Sequence, residues 1–335
     1  MINLNKIIEY IKPQEIINSV NLNLEEIKIK EISYNSKTTK QGDLFVCLVG
    51  EHTDGHNFAA QAQEKGSLAI IAQKNIKNIS IPIIIVKDTQ LALSQISAIF
   101  YNFPSQNLRL IGITGTNGKT TVTHLVENIF EKAGISCSLI GTLGQRFSSK
   151  DEYISTKHTT PQAPDLQQSL KAILDKGINH VVMEVSSHSL EQHRVSECQF
   201  DAAVLTNLTQ DHLDYHITMD NYFKAKSKLF SSLKENNKAD KYAVINNDDE
   251  SANSFIQIIP AGIRILTYGI RNNADIMAKN IEFSLAGSKF ECKTPVGSKI
   301  INLQMPGQFS VYNALAALAV GIAEKIDLNI CIEAL

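Results

Sequence analysis

The stretch Leu108 to Val122, LRLIGITGTNGKTTV, constrains the fold of this chain more than any other. Leu108 to Thr114 is an apolar run of strand size, and from about Lys119 the residues KTTVTHLVENIFEKAG take helical spacing. Gly115 and Gly118 give the backbone freedom for a tight turn between them. A strand, a glycine turn and a helix N-terminus together aim backbone N–H groups at an anion, which is how phosphate loops work. Lys119 adds a point charge and Thr120 a hydroxyl suited to a magnesium ligand position. The usual G-x-x-x-x-G-K-[ST] pattern has glycine where this chain has Ile113, so the loop is a phosphate loop of a particular kind.

The surroundings of the loop repeat the same order. Helical patterns such as APDLQQSLKAILDKG alternate with short apolar runs HVVMEV, AAVLTNL, YAVINN and IRILTYG. That alternation predicts an α/β fold with a mainly parallel sheet covered by helices on both faces. Residues 275–304 alternate in polarity, as in KFECKT, and predict an antiparallel appendage before a last helix, SVYNALAALAVGIAEKI. Ahead of the loop, GDLFVCLVG, LAIIA and IPIIIV read as buried strands. NFAAQAQEKG reads as a helix stopped at Gly66, and TQLALSQISAIFYNF as one ending before Pro104. The residue before proline is pushed out of helical geometry, so 104–107 is the expected boundary. The result is a small N-terminal α/β domain, 1–104, and a central P-loop-type domain, 105–330, which suits a chain of 335 residues.

Composition removes several classes. With 43% hydrophobic and 20% charged residues the chain is globular rather than disordered. A net charge of −2 without a basic block argues against a nucleic-acid surface. The lysine-rich stretch from Lys224 to Lys241 is offset by Asp240 and by Asp248 to Glu250, and reads as a solvated face. Five dispersed cysteines without C-x-x-C suit reduced thiols in a cytosol better than disulfides or zinc. Lys6 and Glu9 break any N-terminal apolar run, and IPIIIV is far short of the ~20 residues of a membrane span, so a soluble cytoplasmic protein is expected.

Other residues bear on the chemistry. Asn237 to Asp240, NKAD, imitates the guanine-reading N-K-x-D but precedes a strand instead of ending one, and no D-x-x-G follows the loop, so it reads as a surface turn. Magnesium prefers oxygen ligands, and Glu184, at the end of HVVMEV, pairs naturally with Thr120 on the sheet edge where open parallel sheets bind ligands. His212 follows AAVLTNL and reaches the same edge. With His216 it makes H-x-x-x-H, but Leu213 stands where a zinc protease needs glutamate. Lys224, Lys226 and Lys228 in YFKAKSKLF would ordinarily be three solvated lysines on a helix.

GITGTNGKTT, TTP (159–161), MEVSSHSLEQHRV (183–195), TNLTQDHLDYH (206–216) and YFKAKSKLF (222–230) follow in an order and spacing that resembles the Mur ligase family, ATP-dependent amide-forming enzymes of cell-wall synthesis. NSKTTKQGDLFVCLVGEHTDGHNF resembles the N-terminal, uridine-binding domain of its MurE type, which adds the third amino acid to UDP-N-acetylmuramoyl-L-alanyl-D-glutamate. The resemblance implies an acyl phosphate made from ATP and displaced by the amine of meso-diaminopimelate or L-lysine. It implies ATP contacts at Gly115, Thr116, Asn117, Gly118, Lys119, Thr120, Thr121 and Asn313. It implies magnesium at Thr120, Glu184, His212 and Lys226, the last as a carbamate, and leaves His216 without a role. UDP-substrate contacts carry over to Ser36, Glu51, His52, Thr53, Thr159, Thr160, Ser186, Gln192 and Arg194.

Two departures stand out: Asn35-Ser36-Lys37 replaces a common Asp-Ser-Arg, and His158 an asparagine often found before Thr-Thr. Arginine to lysine loses the planar fork. The family has a third domain that holds the incoming amino acid, and no Asp-Asn-Pro-Arg segment occurs here, so the expectation is a monomer that lacks this domain and binds uridine substrate without turnover. The rivals are a folylpolyglutamate synthase-like ligase, which shares the phosphate loop, and a non-catalytic ligand-binding homologue. Ser36 to Gly55 and SSHSLEQHR speak against the first, and intact Lys119, Glu184, His212 and Lys226 against the second.

Overall fold

The computed structural model describes residues 1–19, 22–50, 53–234 and 238–335. They form two compact units. The first comprises Met1–Pro104 with Gln162–Ser169 and Gln192–Cys198; the second comprises Ser105–Pro161, Leu170–Glu191 and Gln199–Leu335.

The first unit is built on a five-stranded sheet in the order Glu15–Ile17, Ile83–Ile85, Ala69–Ala72, Asp43–Val46, Glu31–Ser33. Only the edge strand Glu15–Ile17 pairs antiparallel. The inner strands are buried throughout, which is why their sequences are continuously apolar instead of alternating. The helix Ala59–Glu64 closes at Gly66, whose φ of +94° lets Ser67 N–H reach Ala62 O. Asp88 caps Thr89–Phe100 by accepting from Gln90 N and Leu91 N at 2.8 and 3.1 Å. That helix ends at left-handed Asn102, with Phe103 N–H on Ala98 O at 2.8 Å, so its own carbonyls close it before Pro104 is reached.

The second unit carries a ten-stranded sheet in the order Gly144–Arg146, Cys137–Gly141, His180–Glu184, Arg109–Thr114, Ala202–Leu205, Tyr242–Asn246, Arg264–Gly269, Ile276–Ser284, Gly287–Thr294, Gly297–Leu303. The run from Cys137–Gly141 to Ile276–Ser284 is parallel. The expected α/β fold, a small N-terminal part and a mainly parallel central sheet flanked by helices, is borne out. The stretch read as an antiparallel appendage is no separate piece: Tyr268 pairs with Ile276, so its three strands continue the same sheet.

Two features of this sheet place the site. The chain leaves Arg109–Thr114 for one side, returns to the adjacent His180–Glu184, then crosses to Ala202–Leu205 on the other side. This reversal opens a crevice at the carboxyl ends of the strands, directly at the glycine turn. The helix Gln308–Ala323 is buried along almost its whole length against the phosphate-loop helix Lys119–Lys132 and the sheet. Small residues allow that close approach: a Cβ on Gly321 would press on Cys331 and Ile129.

The opposite, amino edge of the sheet corrects two expectations. Lys238 Nζ donates to Leu108 O, Gln199 O and Asp201 Oδ2 at 2.5, 2.8 and 2.7 Å. Asp201 also accepts from Arg109 Nη1 and Leu110 N, and Arg109 Nε donates to Glu324. Lys238 is therefore a largely buried anchor within the expected surface turn and no part of a solvated face, while Ala239 and Asp240 of that turn are exposed; Asn237 lies outside the described residues. Pairing with Asp201 and two carbonyls is what lets this lysine be buried.

Candidate functional site

The turn from Thr114 to Lys119 is held from one side by the segment after Ala202–Leu205. Thr116 N donates to Asn207 O at 2.9 Å, Asn117 N to Asn207 Oδ1 at 3.0 Å, and Thr206 Oγ1 to Asn117 O at 2.6 Å. Gly115 and Gly118 both have positive φ, +148° and +87°. A Cβ on the first would collide with Thr206 Oγ1, and one on the second with Asn313 Oδ1. Ile113 needs no such freedom, because it is still in the strand, buried and paired with Glu184 and Val204. Asn313 arrives beside Gly118 because Gln308–Ala323 packs on the loop helix. Thr121 follows on that helix, half-buried.

The carboxylate expected beside the loop is there. Glu184 is 1% exposed. Thr120 Oγ1 donates to its Oε2 at 3.1 Å, Thr142 Oγ1 to the same oxygen at 3.0 Å, and Thr142 N to Oε1 at 2.9 Å. Lys119 Nζ donates to Gly115 O and Thr116 O at 2.8 and 2.9 Å. Burial lowers its pKa, with the negative charges of Glu184 and Asp211 acting the other way.

Of the three lysines in YFKAKSKLF, the helix Met219–Ser231 buries one. Lys226 is 1% exposed and donates to Gly115 O at 2.9 Å, the oxygen that Lys119 also uses. Desolvation, and then the nearby Lys119 charge, push its pKa well below the ordinary lysine value, while Asp211 opposes. Lys224 and Lys228 instead pair with Asp220 and Glu191 at the surface. Three solvated lysines are thus two.

His212 has left-handed backbone, φ +52°, and is partly exposed, its Nε2 3.4 Å from Asp211 Oδ2. Its ring packs edge-on against His188, with centroids 4.9 Å apart. Its link to the loop runs through buried Tyr222, ring to ring at 6.2 Å, whose hydroxyl is 3.3 Å from Thr116 Oγ1. Among the described residues no cluster of three or more His, Cys, Asp or Glu side chains is arranged to hold a metal. His216 is buried, its Nε2 2.9 Å from Ser187 Oγ, and burial, followed by the field of His188, lowers its pKa to about 4.

The residues expected to meet the UDP substrate fall in both units. In the first, Asn35 Oδ1 accepts from Lys37 N at 3.0 Å, a turn contact for which an amide oxygen serves as well as a carboxylate. Lys65 Nζ donates to Ser36 O and Lys37 O, fixing Ser36 in a buried turn. Thr53 is exposed; Glu51 and His52 lie outside the described residues. Gln192 Oε1 accepts from Arg194 Nε and Nη2 at 3.1 and 2.6 Å. In the second unit, Thr160 Oγ1 donates to Glu184 O at 2.9 Å and accepts from Ser186 N at 3.1 Å, while Thr159 is hydrogen-bonded to Thr142.

A cavity of about 720 Å³ opens beside the loop, lined among others by Asn117, Gly118, Asn207, Asn246, Arg271 and Asn313. Asn207, Asn246 and Arg271 carry no expectation from the sequence; Asp248, read there as part of a charge-offset solvated face, is instead buried and braces the wall. Its carboxylate accepts from Ile270 N, Arg271 N, Asn272 N and Tyr312 Oη at 2.6 to 2.9 Å. Burial would raise its pKa, but these donors hold it below the usual value. The only sequence signal was the position of Asn246 to Asp248 at the end of a strand on the ligand edge.

Residues 113–321 match the Mur ligase middle domain, and 28–101 match the Mur ligase family, catalytic domain. The chain is 45% identical over 334 residues to the UDP-N-acetylmuramoyl-L-alanyl-D-glutamate–2,6-diaminopimelate ligase of Bacillus velezensis, covering 99% of this chain and 66% of that protein. It is 46% identical to the enzyme of the same name from Bacillus licheniformis, covering 90% and 61%. A solved structure of a ligase of that name superposes with a TM-score of 0.83 at 29% identity, over 99% of this chain and 66% of the other. The chain thus spans 61 to 66% of the length of these curated relatives.

Proposed function

The chain belongs to the Mur ligase family, and from that premise we propose that it serves an ATP-dependent, ADP-forming ligation in peptidoglycan precursor synthesis. The reaction joins a third amino acid to UDP-N-acetylmuramoyl-L-alanyl-D-glutamate. The relatives are named for 2,6-diaminopimelate, which favours it over L-lysine. The observation that carries this reading is the Thr120–Glu184 contact of 3.1 Å beside a glycine turn whose Gly115 carbonyl meets both Lys119 and buried Lys226.

In the proposed reaction the substrate carboxylate attacks the γ-phosphate of ATP, ADP leaves, and the amine displaces phosphate from the resulting acyl phosphate. Such phosphoryl transfer depends mostly on positioning and charge. The loop N–H groups and Lys119 would hold the phosphates. Thr120 and Glu184 offer hard oxygen donors, which fits magnesium, and magnesium when bound would offset phosphate charge. A buried amine held toward neutrality is the form of lysine that can add to carbon dioxide, losing a proton and gaining a carboxylate. Carbamylated Lys226 with His212 is accordingly the proposed second magnesium position.

We assign 1–104 to UDP-substrate binding and 105–330 to ATP binding, with Gly115 to Thr121 and Asn313 as nucleotide contacts. Ser36, Thr53, Gln192, Arg194, Thr159, Thr160 and Ser186 remain the proposed substrate contacts, and Glu51 and His52 rest on sequence alone. Five free, buried cysteines suit a reducing cytoplasm, and among the described residues no helix is long and apolar enough to cross a membrane. A monomer is the proposed state. Titration of the chain with MgADP and with UDP-N-acetylmuramoyl-L-alanyl-D-glutamate tests the reading: both bind, and Lys119→Ala weakens MgADP at least about tenfold. Binding of a folate in place of the muramoyl dipeptide would sink it.

A further inference from the structure

We propose that His124 and Tyr153 are positioning residues that couple the nucleotide turn to the segment presenting Thr159 and Thr160. The proposal rests on the function given above. The helix Lys119–Lys132 starts in the phosphate turn and turns His124, Glu127 and Glu131 to one side, a spacing that stacks them on one face. All three grip a single outlying stretch, residues 146–153.

At the first grip, His124 Nδ1 lies 2.7 Å from Thr120 O. A carbonyl only accepts, so Nδ1 carries a hydrogen, and in the neutral ring Nε2 must then accept. Tyr153 Oη lies 2.5 Å from that Nε2 and donates to it. One imidazole thus relays between the peptide of Thr120 and Tyr153. At the second grip, Arg146 pairs with buried Glu127 and lays its guanidinium 4.7 Å from the Tyr153 ring centre. Ser149 Oγ donates to Glu131 at the third.

Tyr153 lies on the returning arm of a short hairpin, since Gln145 and Ile154 exchange N–H···O bonds of 2.9 and 2.8 Å. Thr159 and Thr160 follow within seven residues, tied to Thr142 and to Glu184 O. The stretch between, ISTKH, is mostly exposed and has little apolar burial of its own to fix it. At one end the Gln145–Ile154 pair anchors the hairpin and Tyr153 ties it through His124 to Thr120; the other end is tied to Thr142 and Glu184. Thr120 and Glu184 are the groups assigned to nucleotide and magnesium, so occupancy there and affinity for the muramoyl substrate are linked through Tyr153.

The test measures affinity of the chain for MgADP and for UDP-N-acetylmuramoyl-L-alanyl-D-glutamate, each alone and with the other saturating. Linkage makes the coupling factor equal in both directions. The expected factor is about fivefold or more in the wild type and under about twofold in Tyr153→Phe, with each separate affinity within about threefold of wild type. Tyr153→Phe removes one oxygen and keeps the ring beneath Arg146, so it is expected to fold. His124→Phe and the double variant should then match Tyr153→Phe, because the two act as one unit. No coupling in the wild type, or coupling unchanged in Tyr153→Phe, overturns the inference while leaving the function standing. Both separate affinities weakened by more than about threefold with the coupling factor retained marks a merely structural contact and also overturns it. A wild type that fails to bind the muramoyl dipeptide removes the function and the inference together.

Discussion

At the scale of single residues, the site brings together charges that would repel or desolvate one another in isolation. Lys119 and Lys226 share one carbonyl oxygen, and Glu184 is buried beside Thr120. Glu184→Gln keeps the shape and removes the charge, so MgADP affinity should fall at least about tenfold while metal-free ADP changes little, as calorimetry with and without magnesium will read. His216 makes a different prediction. Its pKa falls from near 6.5 in the unfolded chain to about 4 when folded, so the unfolded state binds more protons in that window. Stability from this group is full above about pH 6.5 and declines as pH drops toward 4, by on the order of 3 kcal/mol. His216→Gln should flatten that decline in denaturant titrations at pH 4.5 and 7. The residue types at these places were readable in advance; that Lys226 alone of three is buried was not, because helical spacing does not say which face meets the sheet.

At the scale of elements, the strand, turn and helix at 109–132 were legible because local rules agree there: an apolar run, two glycines at positive φ, then helical spacing. Gly115→Ala would force a Cβ onto Thr206 and into a disfavoured φ, and should cost on the order of 2 kcal/mol together with MgADP binding. The short strand Cys137–Gly141 and the helix Ala252–Ile258 escaped notice, since five to seven residues carry too little periodicity to stand out. Lys238 departs from expectation for a related reason: a turn lysine reads as solvated in sequence, and the acceptors that hold it lie 37 to 130 positions away. Asp201 answers Lys238 and Arg109 at once, so Asp201→Ala takes the shared carboxylate from two largely buried cations, leaving Lys238 with carbonyls alone, and strips Leu110 N of its acceptor. The expected loss is about 3–5 kcal/mol, read as a lower urea midpoint at unchanged slope.

At the scale of the molecule, sequence order and compact units do not coincide. The first unit takes Gln162–Ser169 and Gln192–Cys198 from well beyond Pro104. Tyr34 Oη donates to Asp165 Oδ2 at 2.6 Å, Tyr10 Oη to Glu197 Oε2 at 2.9 Å, and Ala163 joins the core of Leu4 and Ile7. A fragment of residues 1–104 lacks these partners and should unfold in urea with a broader, lower transition than the first unit shows within the whole chain, followed by circular dichroism. A fragment as cooperative and as stable would show that the two returning segments contribute nothing.

The sequence by itself determined the α/β class, the phosphate turn and the family, because each follows from patterns that close neighbours in the chain enforce on one another. It also named Glu184, Lys226 and His212 as candidates. Only the tertiary structure decided that Lys226 is the lysine desolvated, that His212 faces the ring of Tyr222, and that Asn207, Asn246 and Asp248 build the cavity wall. These are contacts between residues tens of positions apart, and what creates them is the order of strands in the sheet, which no local pattern encodes.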